Sequence, residues 1–196
     1  MYKIFRYNFI EILVVLLILL NACSNQLHRS GNTNSPVIFP SPPDTTRIQF
    51  LTRFSQSVDI TGKQSSFMRY IIGEEQPRPI HKPYGITVHK GKIYICDTML
   101  PGLEIIDLHK KTFEYFIPSG PGQIKKPLNC SFDSDDHLYI ADAVRRQVII
   151  FDKNGSYLAA IGDGHTGKPT DVLIARDRIY ICDLDGHQIQ VYQKDC

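Results

Sequence analysis

Three copies of one segment constrain this chain more than any other feature. Residues 82–97 read KPYGITVHKGKIYICD, residues 126–142 read KPLNCSFDSDDHLYIAD and residues 168–183 read KPTDVLIARDRIYICD. Lys82 and Lys126 are 44 residues apart, and Lys126 and Lys168 are 42 apart. A period of this length marks a stacked architecture, because one such unit cannot bury its apolar faces alone and must pack on a neighbour. The apolar runs are only four to six residues long and turn residues interrupt them. That pattern disfavours a helical repeat and predicts short strands.

Each copy divides in the same way. Lys-Pro sets an extended lead-in. A first strand follows at residues 85–88, 129–132 and 171–174, then a tight turn at Lys90-Gly91, Asp135-Asp136 or Arg176-Asp177. Second strands are expected at 92–96, 137–141 and 178–182, third strands at 103–108, 147–152 and 188–192, and fourth strands at 113–117 and 157–161. Four antiparallel strands in about 42 residues make a propeller blade. The expected fold is therefore all-β, built of four-stranded antiparallel meanders. Residues 47–54, mostly alternating in polarity, add one more strand and bring the total to twelve, or three blades with the last lacking its outer strand. A ring of six such blades needs about 250 residues, so the 196 residues here hold about half. Either the chain is a truncated form of a longer one, or two copies close the ring.

The first 22 residues read as a secretion signal. Lys3 and Arg6 form a short basic start, and an apolar run covers residues 12–20. Nine helical residues rise only about 14 Å, short of the roughly 30 Å hydrocarbon core, so a signal fits where a membrane span does not. The run ends Leu20-Asn21-Ala22-Cys23, which resembles the bacterial lipobox. That resemblance implies lipidation of Cys23 and stable anchoring through its acyl chains. Ser24 stands where an Asp would imply retention at the inner membrane, so the implied location is the outer membrane, facing the periplasm. Residues 23–46, rich in Ser, Asn, Thr and Pro, favour extended polyproline conformation and read as a tether. Residues 47–196 then hold the partial propeller, with repeats at 82–125, 126–167 and 168–196. Residues 55–66 are polar and turn-like, and residues 67–72 suit either a short helix or a strand.

Pro83-Tyr84-Gly85-Ile86 with Tyr94-Ile95-Cys96-Asp97, Pro127 with Tyr139-Ile140-Ala141-Asp142, and the run Val148-Ile149-Ile150-Phe151-Asp152 followed by Asn154-Gly155-Ser156-Tyr157-Leu158 resemble NHL-type propeller repeats. With the Pro-rich stretch at 40–44 and the strand-like stretch after it, the arrangement is similar to six-bladed propeller lipoproteins of Gram-negative bacteria. The resemblance implies a fold far more than a function, since propellers host many sites.

Pro83, Pro127 and Pro169, Tyr94, Tyr139 and Tyr180, and Asp97, Asp142 and Asp183 recur in all three copies and read as framework. An Asp at a strand end caps the following turn by accepting backbone amides. Cys96 and Cys182 share a slot with Ala141, which asks for a small apolar side chain. Propeller enzymes with an axial metal draw ligands from several blades, but no two of the seven His here recur at one slot. His89 and His137 are the candidate ligand-facing residues, and no cofactor or metal is assigned. A net charge of +2, without interleaved basic and aromatic residues, does not suit nucleic acid. The expected function is a lipid-anchored, non-catalytic binding or scaffolding module for an envelope protein or ligand. The rival readings are a metal-dependent hydrolase or lyase with an axial site and a truncated, non-functional fragment.

Overall fold

The computed structural model describes residues 37–45, 47–162 and 167–194. The signal segment, Cys23, His165 and Cys196 lie outside these residues. The chain divides into two compact units that meet in sequence between Thr52 and Arg53.

In the first unit, β1 (Ile38–Phe39) pairs antiparallel with β2 (Ile48–Gln49). The Phe50 amide donates to the Val37 carbonyl at 2.8 Å, extending this small hairpin. The strand expected over residues 47–54 is thus only two residues long, and its partner comes from the Pro-rich stretch rather than from a blade. Residues 40–43, with three prolines, turn the chain back on itself, and a local closure of this kind costs less entropy than a distant one.

The second unit opens with two short helices, α1 (Val58–Thr61) and α2 (Ser66–Ile72). The helical alternative holds for residues 67–72 because both ends are capped. Ser65 Oγ accepts the Met68 amide at 3.2 Å, and Gly73 ends the helix at φ 84°.

Three antiparallel sheets follow. The first has β3 (Pro83–His89), β4 (Lys92–Asp97), β5 (Leu103–Asp107) and β6 (Thr112–Phe116) in sequential order. The second has β7 (Pro127–Phe132), β8 (Leu138–Asp142), β9 (Gln147–Phe151) and β10 (Tyr157–Ile161), and the third has β11 (Pro169–Ala175), β12 (Arg178–Asp183) and β13 (Gln188–Gln193). The inner strands β3, β7 and β11 lie side by side. These are two complete four-stranded propeller blades and the three inner strands of a third, as the repeats predict. Lys90 and Gly91, both at positive φ, close β3 onto β4 in the two-residue turn whose twist suits a hairpin.

Side chains alternate between the two faces of each sheet, and the middle sheet is covered on both, so β8 is buried throughout. Cys96 and Leu103 on one face of the first sheet meet Cys130, Leu138, Ile140 and Phe151 of the second. The reverse face of the second sheet, with Tyr139, Ala141 and Val148, meets Val172, Ile179 and Ile181 of the third. The outer face of the first sheet packs Ile95, Ile106 and Phe113 against Ile60, Phe54 and Ile80. Each fully buried Leu, Ile or Phe contributes roughly 1.5–3 kcal/mol. Gly85 lets β3 approach β7, since a Cβ there would sit 2.3 Å from the Leu128 carbonyl oxygen.

Candidate functional site

Two clusters of polar residues occupy opposite ends of the inner strands. The first is built by the recurring Asp. Asp97 accepts the amides of His81 at 2.6 Å, Lys82 at 2.9 Å and Met99 at 2.8 Å. Asp142 accepts those of Lys125, Lys126, Val144 and Arg145 at 2.6–3.0 Å. Asp183 accepts from Gly167 and Gly186 and from the side-chain amides of Gln188 and Gln190. The Gly186 amide bond is the largest of the effects that hold Asp183 below the ordinary carboxylate range. All three carboxylates are buried. Burying a carboxylate is costly unless its lone pairs are met, and here backbone and Gln amides meet them.

Pro83, Pro127 and Pro169 stand opposite Asp97, Asp142 and Asp183 in the strand register, with an irregularity just after each Pro. The carbonyls of Lys82, Lys126 and Lys168 in turn accept the amides of Thr98, Ala143 and Leu184 at 2.9–3.1 Å. Each Lys-Pro lead-in is therefore held to the turn after the second strand. This brings nine residues, three from each repeat, around a hollow of about 220 Å3. In every repeat they are the Lys, the residue two places after it, and the residue following the Asp. The sequence singles out Lys-Pro as a lead-in. That the three Lys share one hollow emerges only from the stacking of the sheets.

The second cluster lies at the β3–β4 and β7–β8 turns. Asp133 Oδ1 accepts the amides of Asp135 and His137, both at 2.9 Å. Its Oδ2 accepts the Tyr139 hydroxyl at 3.1 Å and lies 3.0 Å from His137 Nδ1 and 3.0 Å from Lys194 Nζ. Burial alone would raise the Asp133 carboxyl, but the bonds from the His137 amide, Lys194, the His137 ring and Tyr139 outweigh it and hold it at about 2. Asp133, Asp135 and His137 carry donor atoms within 4.8 Å of one another, close enough for one cation. The Lys194 ammonium, 2.5 Å from Asp135 and 3.0 Å from Asp133, already supplies a positive charge to this set. Sequence reading did not single out Asp133, although its D-S-D-D-H context is dense in carboxylates.

His89 stacks on Phe132 with ring centroids 4.1 Å apart, and its Nε2 lies 2.8 Å from Asp136 Oδ1. Lys90 also binds Asp136. Both candidate His thus sit in contacts at the turn end: His89 bridges the first and second sheets, and His137 braces Asp133. Among the repeat tyrosines, Tyr139 is buried and spent on Asp133, while Tyr94 lies edge-on to Phe132 at 4.7 Å and its hydroxyl pKa is raised by burial. Tyr180 lies on the third sheet, opposite Leu173 and Val191.

No protein-family profile matches the chain, and no curated protein matches it. Among solved structures, a virginiamycin B lyase from Staphylococcus aureus aligns at 17% identity and TM-score 0.47, over 57% of this chain and 41% of that one. A hydrazine synthase from Kuenenia stuttgartiensis aligns at 16% and 0.45 over 57% and 32%, and the computationally designed Ika4 protein at 12% and 0.45 over 57% and 65%. The chain spans about two fifths of the length of the first and a third of the second. These likenesses concern the chain trace, and the blade architecture stands on the three stacked sheets of the protein itself.

Proposed function

We propose that this protein is a lipid-anchored, non-catalytic binding module of the bacterial envelope, held at the outer membrane through Cys23 and facing the periplasm. The observation that supports a binding role is one repeat slot. Leu103, Val148 and Ile189 are equivalent, each lying opposite the residue before the recurring Asp on the second strand. Leu103 and Val148 are 0% exposed under the next sheet, whereas Ile189 is 59% exposed. Leu173 and Val191 share that open face. Contiguous exposed apolar surface of this kind marks an interaction site.

The surface that fits it is the reverse face of another blade. The chain carries one: Ile86 and Val88 on β3 are 63% and 68% exposed, although Cys130 and Val172, the equivalents of Ile86, are each 3% exposed. Two copies docked head to tail cover both open faces of each in two equivalent contacts related by a two-fold axis. The experiment is light scattering on the unlipidated Cys23→Ala chain. The expected result is a dimer that Ile189→Asp converts to a folded monomer. A monodisperse folded monomer before that substitution refutes docking by a second copy. Radiolabelled palmitate tests the anchor: incorporation should vanish in Cys23→Ala, and persistent labelling refutes Cys23 as the site.

A further inference from the structure

We infer that the hollow bounded by Lys82, Lys126 and Lys168 is a binding site for a small, multiply charged oxyanion of the phosphate or sulfate class. The inference is independent of dimer formation, because all three lysines belong to one chain.

Three observations converge. First, the lysines are placed by the backbone and not by chance of rotamer. Each carbonyl is tied to the residue after the recurring Asp, and the amides of Lys82 and Lys126 are tied to the Asp itself. Their Cα positions are therefore fixed on one rim, and ordering the side chains on a ligand costs only side-chain freedom.

Second, the lysine heads are not held in ion pairs: among the described residues, no carboxylate pairs with the ammonium groups of Lys82, Lys126 or Lys168. The repeat carboxylates Asp97, Asp142 and Asp183 are buried and turned to amides. Three cationic side chains elsewhere are paired: Lys90 and Lys194 bind Asp136 and Asp135, and Arg146 binds Asp185. Three lysines lining one hollow can each turn a charged donor toward a single bound anion.

Third, the size and remaining lining select the ligand class. About 220 Å3 is below the 300–1,000 Å3 of pockets for drug-sized molecules, and suits an ion or a single charged group. The slots beside the lysines are not repeated: Tyr84, Leu128 and Thr170 fill one, and Thr98, Ala143 and Leu184 the other. The Thr98 hydroxyl donates to the Lys82 carbonyl at 3.3 Å and the Thr170 hydroxyl to the Cys182 carbonyl at 3.4 Å, so these side chains brace the rim while the repeated lysines supply the charge.

Titration calorimetry of the full chain with inorganic pyrophosphate at low ionic strength tests the site. Saturable binding of one ion per chain is expected. Each of Lys82→Gln, Lys126→Gln and Lys168→Gln should weaken binding about tenfold, the worth of one charge-assisted hydrogen bond. Lys110→Gln and Lys111→Gln, at the β5–β6 turn, should leave it unchanged. The single variants keep every backbone bond described above, and an unchanged circular dichroism melt verifies that they fold. No saturable binding overturns the proposal. Equal loss in the Lys110 and Lys111 controls also overturns it, by showing a diffuse charge effect.

Discussion

Lys194 Nζ lies 3.0 Å from Asp133 Oδ2, joining the residue just after β13 of the third sheet to the β7–β8 turn of the second. The Asp133 side chain is 1% exposed, so this pair is a tie between blades and not a surface contact. The folded carboxyl is held at about 2, below its ordinary 3.8. Its stabilisation is fully present above pH 3.8 and is lost as pH falls through 2. Asp133→Asn should cost about 2–3 kcal/mol at pH 7, somewhat less than an enclosed pair because Lys194 reaches solvent. Denaturant titrations between pH 5 and pH 2 should show stability falling in the parent chain and a flatter profile in the variant.

Glu104 gives the opposite slope. It is 1% exposed, its Oε2 has no hydrogen-bond partner among the described residues, and burial first and the Asp97 charge second raise it from 4.5 to about 7. Below pH 4.5 both folded and unfolded states hold the proton, and between 4.5 and 7 only the unfolded state releases it. Stability therefore falls as pH rises through that window. Glu104→Gln should remove this slope and raise stability by about 1–2 kcal/mol above pH 7, after allowance for screening. A pH series of thermal melts checks it, and an unchanged slope in the variant refutes it.

Gly85 is required by proximity, not by its backbone angle. Gly85→Ala drives a Cβ to within 2.3 Å of the Leu128 carbonyl oxygen and 2.8 Å of the Asn129 Cα, so the β3–β7 contact must open. The expected loss is about 1–3 kcal/mol, read from the denaturation midpoint.

The cysteines should separate by reactivity. Cys96 and Cys130 are buried and free, with the Cys130 neighbour first and burial second raising the Cys96 thiol, while Cys182 is only partly buried. Maleimide labelling followed by peptide mass spectrometry should mark Cys182 first, and Cys96 and Cys130 only on unfolding. Equal rates for all three in the native chain contradict the packing between the first and second sheets.

The spacing of Lys-Pro, Gly, Asp and the apolar alternation determined the blades by itself. Strand order, hairpin register and the role of Asp97, Asp142 and Asp183 are local matters, settled by turn chemistry and by the two-residue period of a strand. That is why the expected strands of the repeats match β3 to β13 closely. Residues 47–54 had the same alternation, yet the strand there covers only Ile48 and Gln49 and joins no blade, because polarity alone does not name a partner strand. The tertiary structure alone decided which side chains of different repeats meet. Lys194 with Asp133, Cys96 with Cys130, and the three lysines around one hollow depend on how far each sheet is shifted and turned against the next. Those offsets arise from packing between residues more than 30 positions apart, and no short window of sequence carries them.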